Sequence, residues 1–350
     1  MTRPPLTALL IADDKPGHYH QAEGVITAVG RLRPVTTVRL EVRRRFIVPT
    51  RTLLQLVNRG ASPYLVLRLG FGIRADELPK ADLVVSAGGE TLAANAAAAK
   101  ALGAPNIFCG RLRQLSPEHV RLVLVSLERF AQLPNHLLTL PPSPFDVARL
   151  PANGHGRAQR PGPGNPPARV GVLIGGNSGT FRYEARDWHR LTTFLRAAHR
   201  AHGTRWLATT SRRSDSVIAR ALAEMADEPD AGIEQFIDYR TAGAGTVASI
   251  LSAADAILCT DDSSSMLTEA VGACLPVVAV SPEACTLESR EAEYRRMLAA
   301  EGWYRALPLT QLTPETFLAA LGEITPRSRS QLEELAAAVG GCLPELFATP

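Results

Sequence analysis

The chain has 350 residues with 45% hydrophobic and 21% charged side chains, which excludes a mainly disordered protein and suffices for two separate cores. Its formal charge of +4 conceals an asymmetry: residues 1–140 carry 18 basic and 10 acidic side chains, a balance of +8, so the remainder sums to −4. No run reaches the roughly 18 apolar residues of a membrane helix, and Leu6–Ala12 meets Asp13 and Asp14 too soon for a signal peptide, so a cytoplasmic location is expected.

Leu6–Ala12 predicts a strand, Gln21–Leu32 a helix, Val35–Val42 a strand, and Leu83–Ser86 a strand before the Ala-rich helix Leu92–Leu102. Between Arg31 and Arg74, ten arginines face a single acid, Glu41. Phe46, Ile47, Leu53, Leu54, Leu56 and Val57 lie among them. Such a stretch suits an anionic membrane or a phosphate-bearing substrate, or is a solvated basic face. Nucleic acid is not expected, because stacking aromatics are not interleaved.

Pro141–Pro167 is rich in Pro and Gly and reads as a linker, placed at 146–168 between a first domain (1–145) and a second (169–327). Strand and helix then alternate again: Val170–Ile174, Glu184–His199, Trp206–Thr210, Asp215–Ala226, Gly232–Ile237, Ser249–Ala253, Ala256–Cys259, Met266–Val271 and Val277–Val280. A terminal helix, Ser328–Val339 within 328–350, can belong to either domain, packing back on the first in one arrangement. This pattern predicts an α/β protein of two Rossmann-like domains with parallel sheets facing a central cleft, and ligands beyond the carboxyl ends of the strands. Five scattered cysteines, with no Cys-x-x-Cys pair, predict small buried groups rather than disulfides or zinc ligands.

Each strand end offers chemistry. After the first come Asp13, Asp14, Lys15, Pro16, Gly17, His18, Tyr19 and His20. The amides opening the next helix favour an anion, and His18 suits a general base, unless the loop only caps that helix. In Ser86–Thr91, the pair Gly88 and Gly89, followed by Glu90, permits a close approach to the backbone, or serves turn geometry alone. Gly175, Gly176, Asn177, Ser178, Gly179 and Thr180 match neither a P-loop nor Gly-x-Gly-x-x-Gly, and read as a backbone nest for phosphate. Ser211, Arg212 and Arg213 put guanidinium groups at the end of another strand, suited to a diphosphate or merely exposed. Asp262, Ser263, Ser264, Ser265 and Met266 form a hydroxyl-rich turn into a helix. Glu269 lies four residues after Ser265 on the same face, placed to accept both ribose hydroxyls.

This arrangement resembles the donor-nucleotide half of GT-B glycosyltransferases, especially the one that adds N-acetylglucosamine to a lipid-linked sugar in peptidoglycan synthesis. Across residues 13–270 the blocks DDKPGHYHQ, SAGGET, IGGNSGTFR, TTSRR and TDDSSSMLTEA resemble the plant mitochondrial-fission proteins of the "elongated mitochondria" type and their bacterial relatives, to which a GT-B glycosyltransferase activity is ascribed. Asp14 stands where that family usually has glycine, and His20 where asparagine is common.

The resemblance implies transfer of a sugar from a nucleotide diphosphate sugar to an acceptor hydroxyl, on a lipid-linked or lipopolysaccharide acceptor at the inner face of the membrane. Neither cofactor nor metal is expected. Gly176–Thr180 and Ser263–Ser265 would contact phosphates, Glu269 the ribose and Arg212 the leaving diphosphate. His18 or Asp13, with Lys15 beside them, would serve catalysis. A nucleotide-sugar 2-epimerase shares the architecture, and a non-catalytic membrane adaptor in division or fission is the third reading.

Overall fold

The computed structural model describes residues 4–146, 161–243 and 245–348. The chain divides into two units, Met1–Phe145 with Gln331–Pro350, and Asp146–Ser330. Most of the expected linker, 147–160, lies outside the described residues. Residues 161–168 fall within the second unit, where Gly162 and Asn165 exchange backbone hydrogen bonds of 3.0 Å.

In the first unit the elements are β1 (Leu6–Ala12), α1 (Pro16–Leu32), β2 (Val35–Glu41), α2 (Thr50–Asn58), α3 (Pro63–Phe71), β3 (Leu83–Ala87), α4 (Leu92–Leu102), β4 (Asn106–Cys109), β5 (Leu122–Val125) and β6 (His136–Leu138). The sheet order is β2-β1-β3-β4-β5-β6, and every neighbouring pair is parallel. Both faces are covered, so its central strands are apolar throughout rather than alternating. Along β1, Leu9 and Ile11 join the core packed with α2, α3 and α4, while Ala8 and Leu10 join the one packed with α1.

Two expectations change here. The first helix starts at Pro16 rather than Gln21, because proline without an N–H is well suited to the first helical position. Leu53, Leu54 and Val57 are buried in the core: they form the inner stripe of the amphipathic α2 and cannot serve as exposed membrane contacts. Phe46 and Ile47 remain outside.

The second unit comprises β7 (Arg169–Leu173), β8 (Phe181–Arg182), α5 (Ala185–His202), β9 (Arg205–Thr209), α6 (Ser216–Ala226), β10 (Ile233–Ile237), α7 (Tyr239–Ala242), α8 (Thr246–Ala253), β11 (Ala256–Thr260), α9 (Ser264–Gly272), β12 (Val277–Ser281), β13 (Ala284–Cys285), α10 (Ser289–Ala300), β14 (Tyr304–Pro308) and α11 (Pro314–Glu323). Its main sheet runs β10-β9-β7-β11-β12-β14, again parallel, and β8 pairs antiparallel with β13. Trp206 is fully buried beside Phe194 and Phe317, and its indole N–H donates to the Leu195 carbonyl at 3.0 Å. That bond removes the cost of burying the ring's polar group.

The final helix, α12 (Gln331–Cys342), belongs to the first unit, where Leu332, Leu335, Ala336 and Val339 fill the core beside α1. The Gln331 amide donates to the carbonyls of Leu140 and Pro141 at 2.9 and 2.6 Å and fixes the start of the helix. Cys109 and Cys259 are buried as small apolar groups, but Cys285 and Cys342 are exposed. No helix among the described residues is long and apolar enough to cross a membrane. Leu335→Ala is expected to destabilise the first unit by about 2–5 kcal/mol, read as a lower urea midpoint by circular dichroism.

Candidate functional site

In each unit the strand order reverses beside the first strand, between β1 and β3 and between β7 and β11. Loops leaving two such strands turn to opposite faces of the sheet, so a crevice opens beyond their carboxyl ends. The two reversal points collect most of the residues singled out in the sequence.

At the first, Asp13 is buried at the end of β1, and its carboxylate lies 2.7 Å from Nδ1 of His18 on the opening turn of α1. A carboxylate only accepts, so Nδ1 donates in this pair, and in the neutral ring Nε2 is then the acceptor. The loop after β3 completes the arrangement. Gly88 has φ +84°, and a Cβ there would lie 2.1 Å from the His18 ring, while one on Gly89 would lie 2.4 Å from the Arg113 guanidinium. These glycines therefore admit His18 and Arg113, both protein groups. Thr91 and Asn95 hold that loop through the Ser86 hydroxyl, each at 3.0 Å.

Gly17 sits in the first helical turn with nothing within 4 Å of an added Cβ. The amides of Lys15, His18 and Tyr19 are already bonded internally and Pro16 has none, so of the amides opening this helix only that of Gly17 has no internal acceptor among the described residues. Glu90 pairs with Arg44 at 2.8 Å. A cavity of about 680 Å³ opens here, lined by Asp13, Asp14, Lys15, Arg39, Arg43 and Glu90 among others. The side chains of Lys15 and Arg43 have no partner among the described residues.

At the second reversal point Asp262 ties three strand ends together. Its carboxylate accepts the Gly176 N–H at 3.0 Å and the Arg213 guanidinium at 2.8 Å. Gly175 donates to the Thr260 hydroxyl at 2.6 Å, and its carbonyl accepts the hydroxyls of Ser211 and Ser214 at 3.0 and 2.6 Å. A Cβ on Gly175 would lie 2.3 Å from the Asp262 carboxylate, and one on Gly176 2.1 Å from the Arg213 carbonyl.

The glycine loop thus differs from the phosphate nest expected. The Gly175, Gly176 and Ser178 amides are spent within the protein, and the Asn177 side chain accepts the Tyr183 N–H at 2.7 Å. Among the described residues, the amides of Asn177 and Gly179 alone in 175–179 lack an internal acceptor; Thr180 gives its carbonyl to Thr286. Ser211 and Arg213 are likewise engaged, whereas the exposed Arg212 side chain has no partner among the described residues.

The serine turn is divided in the same way. Ser264 donates its hydroxyl to Glu291 and accepts from Arg295, while Ser263 and Ser265 have hydroxyls with no partner among the described residues. The amides of Ser264, Ser265 and Met266 open α9 with no intrahelical acceptor, and the Ser263 side chain does not cap them. Met266 itself is buried. Glu269, one turn further on, has no hydrogen-bond partner among the described residues, and burial pushes its carboxyl up to about 7.

Arg295 was not anticipated from sequence. It is buried on α10, donates to the Asp261 carboxylate and to Glu291, both at 2.7 Å, and so fixes the turn from behind. Its only sequence signal is Glu291 four residues earlier, a spacing that also describes ordinary surface pairs. Among the described residues no cluster of three or more His, Cys, Asp or Glu is placed to hold a metal ion.

Two doubly wound Rossmann-like units define an α/β protein of the GT-B type. The chain belongs to the family described as mitochondrial fission ELM1, whose model matches residues 16–338. No curated protein matches the sequence. Among solved structures, the UDP-GlcNAc 2-epimerase of Methanocaldococcus jannaschii is 12% identical over 96% of this chain and 100% of its own, with a TM-score of 0.53. A structure from Listeria monocytogenes assigned as a UDP-N-acetylglucosamine 2-epimerase is 10% identical over 98% of both chains, with a TM-score of 0.51. Acinetobacter baumannii MurG is 14% identical over 96% of this chain and 100% of its own, at 0.48. At these identities the likeness is one of fold.

Glu269 supplies a pH test. Its folded-state carboxyl keeps a proton between pH 4.5 and about 7 that the unfolded chain has lost. Stability therefore falls as pH rises through that window and is level above it, by about 3 kcal/mol for such a shift. Glu269→Gln removes the dependence, so the variant gains on the wild type between pH 5 and pH 8. Urea unfolding followed by tryptophan fluorescence measures this, because Trp188, Trp206 and Trp303 all lie in the second unit; an unchanged difference contradicts it.

Proposed function

We propose that the chain is a glycosyltransferase that takes a sugar from a nucleotide diphosphate sugar and passes it to an acceptor hydroxyl. Glu269 carries the reading: a desolvated carboxylate with no protein partner, one turn inside a helix whose opening amides are also unpartnered. A ribose diol satisfies both oxygens of such a carboxylate, and a diphosphate suits the helix start.

On this reading the second unit holds the donor. The amides of Ser264–Met266, the hydroxyls of Ser263 and Ser265, the Gly179 amide and Arg212 stabilise charge on the departing diphosphate, with no resident cofactor or metal required. The first unit supplies the base. Nε2 of His18 takes the acceptor's proton while Asp13 holds the ring and stabilises the imidazolium that forms. The bond from the anomeric carbon to the phosphate oxygen breaks, the nucleoside diphosphate leaves with the electron pair, and the acceptor oxygen bonds to that carbon. Lys15 and Arg43 give the first unit's cavity two uncommitted cations, suited to an acceptor bearing a phosphate, such as a lipid-linked sugar or lipopolysaccharide at the inner face of the membrane.

A thermal-shift panel of nucleoside diphosphates and their sugars tests donor binding. A ligand at 100 times its dissociation constant adds about 2.7 kcal/mol, and Glu269→Ala should abolish the shift. His18→Ala should retain it while losing transfer by at least 10²-fold. No shift with any member of the panel contradicts donor binding. Interconversion of the free nucleotide sugar without acceptor would assign the site to a 2-epimerase instead.

A further inference from the structure

The loop between β2 and α2 begins in the first unit's cavity and ends in solvent. Val42, Arg43 and Arg44 line the cavity, and two residues further on Phe46 and Ile47 are 94% and 79% exposed, the most exposed large apolar side chains among the described residues. The loop is held in shape. The Arg45 N–H donates to the Gly70 carbonyl at 2.8 Å, the Val48 N–H to the Arg45 carbonyl at 3.1 Å, and the Arg44 guanidinium to the Val48 carbonyl at 2.8 Å. These bonds set its tip beside the end of α3, whose outer face exposes Tyr64, Leu65 and Leu69 around Arg68.

Positive charge accompanies this apolar surface along the loop and the helices α2 and α3. The guanidinium groups of Arg43, Arg45, Arg51, Arg59 and Arg68 have no partner among the described residues. Glu41, the only acid between Arg31 and Arg74, is bonded to Arg39 at 3.4 Å. Two large apolar side chains held in water on a braced loop are uncommon, and uncommitted cations on the same loop and on the two helices that follow it match an interface with apolar depth and anionic headgroups.

We propose that the 43–48 loop and the outer face of α3 form a membrane-docking element, which inserts Phe46 and Ile47 into a bilayer while the arginines meet anionic lipid phosphates. The inference goes beyond sugar transfer and does not depend on it. The tip residues lie outside both cores, so exchanging them leaves the fold intact.

Co-sedimentation of the full chain, without nucleotide, compares vesicles of phosphatidylcholine with vesicles of phosphatidylcholine and phosphatidylglycerol. The wild type is expected to partition at least tenfold more strongly to the anionic vesicles. The double variant Phe46→Ser/Ile47→Ser loses at least tenfold of that, and Arg45→Gln or Arg68→Gln about fivefold each. Circular dichroism and donor thermal shift should be unchanged in all three, which separates this outcome from a failure of the transferase reading. Equal binding to both vesicles, no binding, or binding insensitive to the double variant overturns the proposal. So does self-association without vesicles that the double variant abolishes, which would assign the tip to a protein contact.

Discussion

The second unit depends on the placement of one buried carboxylate. Asp262 receives the Gly176 amide and the Arg213 guanidinium, and so closes together the loops that follow β7, β9 and β11. Burial raises its pKa, and the Thr260 hydroxyl, Arg213 and the Gly176 amide oppose that rise. It consumes Arg213 and the Gly176 amide, while the Thr260 hydroxyl takes the Gly175 amide, so a limited set of groups stays uncommitted among the described residues around it. They are Arg212, the Asn177 and Gly179 amides, the Ser263 and Ser265 hydroxyls, the start of α9 and Glu269.

The first unit repeats the logic with different chemistry. Asp13 is buried and spends itself on His18, and Gly88 is both left-handed and packed against the imidazole, which occupies the space a side chain would take. A motif that reads as a place for a ligand to approach the backbone is a socket for the His18 side chain. The open space lies alongside, in the cavity lined by Lys15 and Arg43, whose charges are uncommitted among the described residues.

Much of this was legible in the sequence. Apolar runs such as Leu6–Ala12 and Val277–Val280, separated by helical stretches, give parallel sheets covered on both faces, and the polar residues that follow each run must then fall at the carboxyl ends. What sequence cannot rank is which polar residue a neighbour will claim. Ser263, Ser264 and Ser265 are equivalent on paper, yet Arg295, 31 residues beyond Ser264, takes that hydroxyl and leaves the other two. Arg212 and Arg213 are separated only by Asp262. Leu53 and Leu54 stand among arginines and still face inward, because nine residues of amphipathic helix have a buried stripe whatever flanks them.

The central claim is that Glu269 is kept unpartnered by the protein in order to be bonded by a donor nucleotide. Binding should convert its carboxyl, held up at about 7 by burial, into a hydrogen-bonded carboxylate, and so release a proton. Titration calorimetry of a nucleoside diphosphate at pH 6.5, in buffers of different ionisation enthalpy, counts that proton directly. The account predicts net proton release by the wild type that Glu269→Gln loses, with any contribution from the phosphate itself common to both. Equal proton release by the two proteins would contradict it.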